Sequence, residues 1–449
     1  MKRFLYFAFL FLAFSGFGQV LQQSDTDNGL STPNPNRNNS NNQTVVDKRK
    51  RPPITDYKII SIENDTTYVD TMLSIYKDYK WNYIRKDDFE LLPFSNIGQP
   101  YNELGYDFSK TYIAPRFGAR AKHVNHYEVE DISYYNVATP FTELYFKTVI
   151  EQGQNLDALF TSNTSPQFNF FAAYKGLRSL GNYQASLSSV GNLRLGFSYN
   201  TKNKRYYIRT HFAAQDYTND ENGGLTTEAT QQYRDEKDEF DDRSILEVNF
   251  QDAESTLDSR RFYLNQEYFL FKKQDSVTDT SLSIGHILNF KDKEYGFTQA
   301  SARTDIFGEA SETSNLNDLT EFQDVYNEGR LTLKDRTLGT VSIKAGYTDF
   351  NYGYNRTLNT EYGFVTNRLT GNIVQLGGEY SKVYGNLLLK ANVMTSISGD
   401  RTGNYINGII GYQLNEDASL RLSISSNERS PNYNFLLYQS DYVNYNWQN

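Results

Sequence analysis

The sequence predicts an all-β chain folded as a membrane-spanning antiparallel barrel, and three observations carry that expectation. The first is alternation with period two. In NLLLKANVMTSI, Leu387, Leu389, Ala391, Val393, Thr395 and Ile397 share one parity, and Leu388, Lys390, Asn392, Met394 and Ser396 share the other. Successive side chains of a strand leave opposite faces, so such a run is a strand with one apolar and one polar face. The second is that runs of about ten residues of this kind recur through most of the chain, which is how a barrel spanning a bilayer reads. The third is composition. Mean hydropathy is −0.66, and beyond the first twenty residues no apolar run is long enough to cross a bilayer as a helix. A barrel tolerates low hydropathy because half of each strand faces water. The 36 Tyr and 30 Phe suit aromatic girdles at the two membrane interfaces. A soluble sandwich, with shorter strands, is the rival architecture.

The elements follow in order. Lys2 and Arg3 precede an apolar core from Phe4 to Phe14 and the small residues Ser15, Gly16 and Gly18. Residues 1–18 therefore read as a secretory signal peptide, which exports the protein from the cytoplasm. Residues 19–53 are polar, rich in Asn, Ser and Pro, and close on the basic cluster Lys48-Arg49-Lys50-Arg51, a disordered linker by composition. Residues 54–108 read as an N-terminal extension or a segment at the barrel mouth. Within it Tyr57–Ile62 and Thr66–Met72 are set to pair as a hairpin about Glu63-Asn64-Asp65. From 109 to 449 roughly fourteen alternating runs are expected to form the barrel wall. Their connections are unequal: Asn200–Lys204 and Asn415–Asp417 are short, whereas Gln215–Arg260, Arg303–Thr320 and Asn355–Arg368 are long and polar. Short turns at one end and long loops at the other suit an outer-membrane barrel with the long loops outside.

Net charge is −9, which argues against nucleic acid as a partner, and the absence of Cys removes disulfides and thiolate metal sites. No cofactor is expected. His123 and His126 form an HxxH after Arg116 and Arg120, but no carboxylate pattern supplies further metal ligands, so a polar rim or loop is the ordinary reading. His286 falls on the apolar parity of its run, which places it at an interface or marks a register shift. The acidic stretch Asp216–Asp258 lacks the ordered spacing of a calcium loop and reads as a solvated surface loop. With four His and no recognisable nucleophile setting, no enzyme is indicated. The pore-lining candidates are the charged residues and one His on inward parities: Glu143, Lys147, Arg194, Arg205, Arg209, His211, Lys344, Glu379, Lys390 and Arg421. Bases outnumber acids among them, which in a pore favours anions.

Several stretches resemble the putative β-barrel porin family of Bacteroidota outer membranes. They are RPPITDYKIISIENDTTYVDT (Arg51–Thr71), RKDDFELLPFSNIGQPYNEL (Arg85–Leu104), Val137–Tyr183 and SPNYNFLLYQSDYVNYNWQN (Ser430–Asn449). The resemblance implies an outer-membrane barrel that passes small hydrophilic solutes passively, with no catalytic residues to carry over. It also implies that members continue with further strands, so the chain stopping at Trp447-Gln448-Asn449 is expected to be C-terminally truncated. The partners expected are outer-membrane lipid and lipopolysaccharide, the barrel-assembly machinery and small hydrophilic solutes, with a homo-oligomer as a further option. Competing functions are a structural or adhesive barrel acting through its long loops, a substrate-specific transporter, and an energised receptor. The last needs a plug inside the barrel, and about ninety residues before the strands offer no convincing one.

Overall fold

The computed structural model describes residues 51–449 apart from positions 73, 109, 150–152, 236–237, 275–278, 357 and 361–362. The stretch read as a signal peptide, and nearly all of the stretch read as a linker, lie outside the described residues. The compact unit is Pro52–Asn449.

The expected N-terminal hairpin is present. β1 (Lys58–Ile60) pairs antiparallel with β2 (Thr66–Tyr68), and Asn64 turns the chain at φ +73°, a left-handed conformation that Asn tolerates. β3 (Leu91–Pro93) pairs with β4 (Tyr101–Glu103). β5 (Tyr134–Asn136) returns to the free side of β1.

The wall follows as one antiparallel meander. Its first strands are β6 (Phe141–Val149), β7 (Gly153–Ser165), β8 (Phe168–Ser179), β9 (Ser188–Asn200) and β10 (Tyr206–Glu221). β11 (Ala253–Gln274), β12 (Asp279–Ser301), β13 (Ser314–Asp335) and β14 (Gly339–Tyr354) are its longest part. A short hairpin, β15 (Leu358–Thr360) with β16 (Gly363–Val365), interrupts it before β17 (Arg368–Tyr384), β18 (Leu387–Gly399), β19 (Gly403–Gln413) and β20 (Ser419–Arg429). In the tail, β21 (Leu437–Tyr438) pairs with β22 (Trp447–Gln448). Among the described residues the wall is a 13-stranded sheet from β6 to β20 whose two edge strands do not pair with each other. It begins at Phe141, not at 109, because residues 113–133 run as irregular chain with 3₁₀ turns at Arg120–Asn125 and Val129–Asp131.

The two faces of the wall invert the order of a soluble sandwich. On β14, Ser342, Lys344, Thr348, Phe350 and Tyr352 are buried, while the alternate Val341, Ile343 and Tyr347 are exposed. The same holds on β18 and β19, where Met394 and Tyr405 are buried and Val393, Ile397, Ile406 and Ile410 are exposed. Two packed sheets would have hidden those aliphatic side chains and left the lysine in water. His286 lies on this outer face with no register shift at its position. It is satisfied laterally: Gln266 Nε2 donates to its Nδ1 (3.1 Å), and its Nε2 faces Asn327 Oδ1 (3.4 Å).

The long acidic connection is shorter than its composition suggests, because its flanks belong to the ladder, with Asp216 paired to Asp258. The described residues between 222 and 252 also fold. α1 (Thr227–Arg234) is capped by Thr226, whose Oγ1 accepts from the Ala229 amide at 3.2 Å, and Leu246, Val248 and Phe250 are buried.

One buried cluster joins Leu177 of β8, Tyr217 of β10, Phe322 of β13, Ile373 of β17 and Tyr405 of β19 to Tyr83, Ile84, Ile113 and Phe117 of the N-terminal segment. Inner faces so far apart in the strand order meet one cluster only if the sheet curls round the segment. The tail completes it: Tyr433 stacks on Tyr352 at 4.9 Å, and its amide donates to the Arg116 carbonyl.

Candidate functional site

The N-terminal segment packs into the interior, although the residues before the strands read as offering no convincing plug. The reason is chemical. The segment has few apolar residues in any period, but the wall's inner face is polar, so hydrogen bonds can do much of the holding. Lys122 Nζ donates to Asn219 Oδ1 (2.6 Å). Lys175 Nζ donates to Asn125 Oδ1 (2.8 Å) and stands over the Tyr83 ring at 4.3 Å. Arg261 Nη1 donates to the Tyr127 carbonyl (2.8 Å), and the Tyr217 hydroxyl to the Asn125 carbonyl (2.9 Å). Lys175, Arg261 and Asn219 are all buried.

Of the two settings expected for His123 and His126, a polar rim or a loop, the structure shows the loop: both lie in irregular chain, and both are buried. His126 Nε2 is within hydrogen-bond distance of Ser259 Oγ (3.0 Å). Burial, with Lys293 close by, pushes His126 down to about 4 and His123 well below the usual imidazole range. Both are neutral at pH 7. Glu128 behaves oppositely. Burial alone would raise it, but Lys293, His126 and Arg261 outweigh burial and hold it well below the usual carboxylate range.

Register brings the charges together. Arg261 pairs across the ladder with Lys291, and Lys291 with Asp324. Lys291 Nζ lies 3.2 Å from Asp324 Oδ2. Glu128 Oε1 lies 3.4 Å from Lys293 Nζ and 3.3 Å from His126 Nδ1, and Oε2 lies 3.5 Å from Arg261 Nη1. A second network holds Glu328 to Arg330 (2.7 Å) and Glu379 to Lys344.

Two cavities bordered by the segment reach these charges. The smaller, about 300 Å³, is lined by Arg116, Arg120, Lys291, Lys293, Asp324 and Glu328 among others. The larger, about 1000 Å³, is lined on its other sides by Lys86, Glu90, Glu103 and Asp131. They adjoin, sharing Thr111, Tyr112, Arg116, Arg120, Glu128 and Glu130. Arg116 lies 4.6 Å over the Tyr112 ring. Burial and the neighbouring Arg116 lower Arg120 to about 10, so it stays charged at neutral pH.

The sequence-derived candidates are scattered round this interior. Arg194 reaches Asp157 (3.2 Å) and lies 4.0 Å over the Tyr127 ring. Arg209 Nη1 donates to the Ser61 carbonyl (3.1 Å). His211 is sealed: Arg261 Nε donates to its Nε2 (3.2 Å), which leaves Nδ1 to donate to the Tyr134 hydroxyl (2.9 Å). Lys344 and Glu379 pair with each other. Glu143 pairs with Arg85 (2.7 Å), and Lys147 donates to the Trp81 carbonyl (3.1 Å), both on the edge strand β6. Arg205 lies in the turn between β9 and β10, while Lys390 and Arg421 are exposed on β18 and β20. None of these ten lines the smaller cavity. Its own charges were missed. Lys291, Lys293 and Asp324 fall on inward parities and were legible as such; Arg116, Arg120 and Glu128 lie in chain with no period to read.

A family model described as "Putative porin" matches residues 53–449. No curated protein matches the chain.

Proposed function

Because the chain belongs to that putative porin family, we propose that it is an outer-membrane channel for passive diffusion of small hydrophilic solutes. The route is the space between inner segment and wall. The observation that carries this reading is the pair of adjoining, charge-lined cavities with Arg116 and Arg120 at their junction. The exposed aliphatic band on the outer face supports a lipid setting, and the leader read in residues 1–18 supports export. A second reading, a substrate-specific outer-membrane transporter, is favoured by the filled interior, since a segment bonded to the wall must yield before a large solute passes.

Planar-bilayer recording of the purified protein tests the channel. Stepwise conductance is expected. Reversing both Arg116 and Arg120 to Glu should move the reversal potential toward cation selectivity. A silent bilayer from protein shown to be folded refutes the channel; an unchanged reversal potential refutes the route.

A further inference from the structure

The wall carries a cradle for an anionic group, and the inner segment fills it with a residue of its own. Arg261 on β11 and Lys293 on β12 are 2% and 5% exposed. Both face Glu128, and neither has another carboxylate within ion-pair distance among the described residues. Two buried cations therefore share one carboxylate, whereas the adjacent Lys291 is matched one to one by Asp324. The fit is loose. All three contacts of Glu128 with charged or ionisable partners fall between 3.3 and 3.5 Å, beyond the ~2.7–2.9 Å of a well-made charge-assisted hydrogen bond. Arg261 Nη2 is fully buried with no hydrogen-bond partner, a donor still aimed at nothing. Glu128 also lines both cavities, so the cradle opens onto the space a solute would occupy.

We propose that Arg261 and Lys293 form a binding site for an anionic group of a solute, a carboxylate or a phosphate, and that Glu128 occupies it as an internal competitor. An arriving anion meets a charge-matched site whose donors are only partly used. Its binding displaces Glu128 and loosens the 3₁₀ turns on either side of that residue. Solute binding and movement of the inner segment are thus one equilibrium. The site rests on the channel reading only for how the solute arrives.

Calorimetric titration of the folded full chain in detergent micelles with inorganic phosphate tests this without any need for conductance. Glu128→Gln keeps the side chain's size and removes its charge. It should tighten phosphate binding by about tenfold or more, the worth of one hydrogen bond to a charged group. Adding Arg261→Met and Lys293→Met should abolish the gain. Phosphate binding to folded E128Q no tighter than to the parent overturns the proposal, as does a gain that survives loss of both cations. A second measurement uses the unmodified protein: phosphate, but not chloride at equal ionic strength, should speed amide exchange over residues 120–131. Equal exchange in the two salts overturns the proposal even if E128Q fails to fold. Phosphate binding in a protein that is silent in bilayers would refute the channel and leave the cradle standing.

Discussion

Phe117→Ala tests whether the inner segment is packed into the wall. Phe117 is 5% exposed. Its ring stacks on Phe322 at 5.7 Å, meets Tyr352 edge-on at 6.2 Å, and lies 6.2 Å from His123. Truncating a buried Phe costs about 3–5 kcal/mol, transfer and cavity terms together. The upper half of that range is expected, because the surrounding rings cannot collapse into the hole. Phe322 and Tyr352 are both packed against Tyr433, at 5.2 and 4.9 Å. The assay is urea unfolding in detergent followed by tryptophan fluorescence. The chain has two Trp, so replacing Trp447 with Phe leaves Trp81, which packs 5.5 Å from Tyr145 of β6, as a reporter on the segment itself. Phe89, which is 80% exposed, serves as control, and its truncation should change stability by no more than about 0.5 kcal/mol. A loss below about 1 kcal/mol at Phe117 would refute the packed interior and return the segment to a solvated mouth.

Acid should loosen the segment first. His126 is held near 4 in the fold, below its unfolded 6.5, so the stability tied to its neutral form is complete above pH 6.5 and drains away as pH falls toward 4. That is on the order of 3 kcal/mol. Glu128, also depressed, adds a loss of the same sign at lower pH. Amide exchange over residues 120–131 should quicken between pH 6.5 and 4, and His126→Asn should flatten that limb; a flat profile in the parent refutes it. Gly196→Ala should cost about 1–3 kcal/mol, because a Cβ there meets the Phe171 ring at 2.5 Å and the Thr210 carbonyl at 2.8 Å. Gly408→Ala, with nothing within 4 Å, should be near neutral, and equal melting shifts for the two would contradict the placement of β9.

Much of the wall was legible from residue order alone. Lys344 and Ile343 sit on opposite faces as their parity required, because a strand offers each side chain only two directions. The β1–β2 hairpin was legible for a similar reason: Asn64 supplies a left-handed turn between two short extended runs. Parity also placed Lys291 and Lys293 inside. It could not say what they would meet. Lys293 finds Glu128 165 residues away, and Lys122 finds Asn219 97 residues away. No local rule links such pairs; only the curl of the sheet sets them side by side. The same limit explains why the burial of His123 and His126 could not be read. Residues 113–133 have no period, so nothing in their order distinguishes an exposed rim from a filling. The sequence by itself determined which way each wall residue faces, since that follows from two-fold alternation. The tertiary structure alone decided that the interior is occupied and that Glu128 stands between Arg261 and Lys293, since burial of a charge depends on partners that only the curl of the sheet can bring within reach.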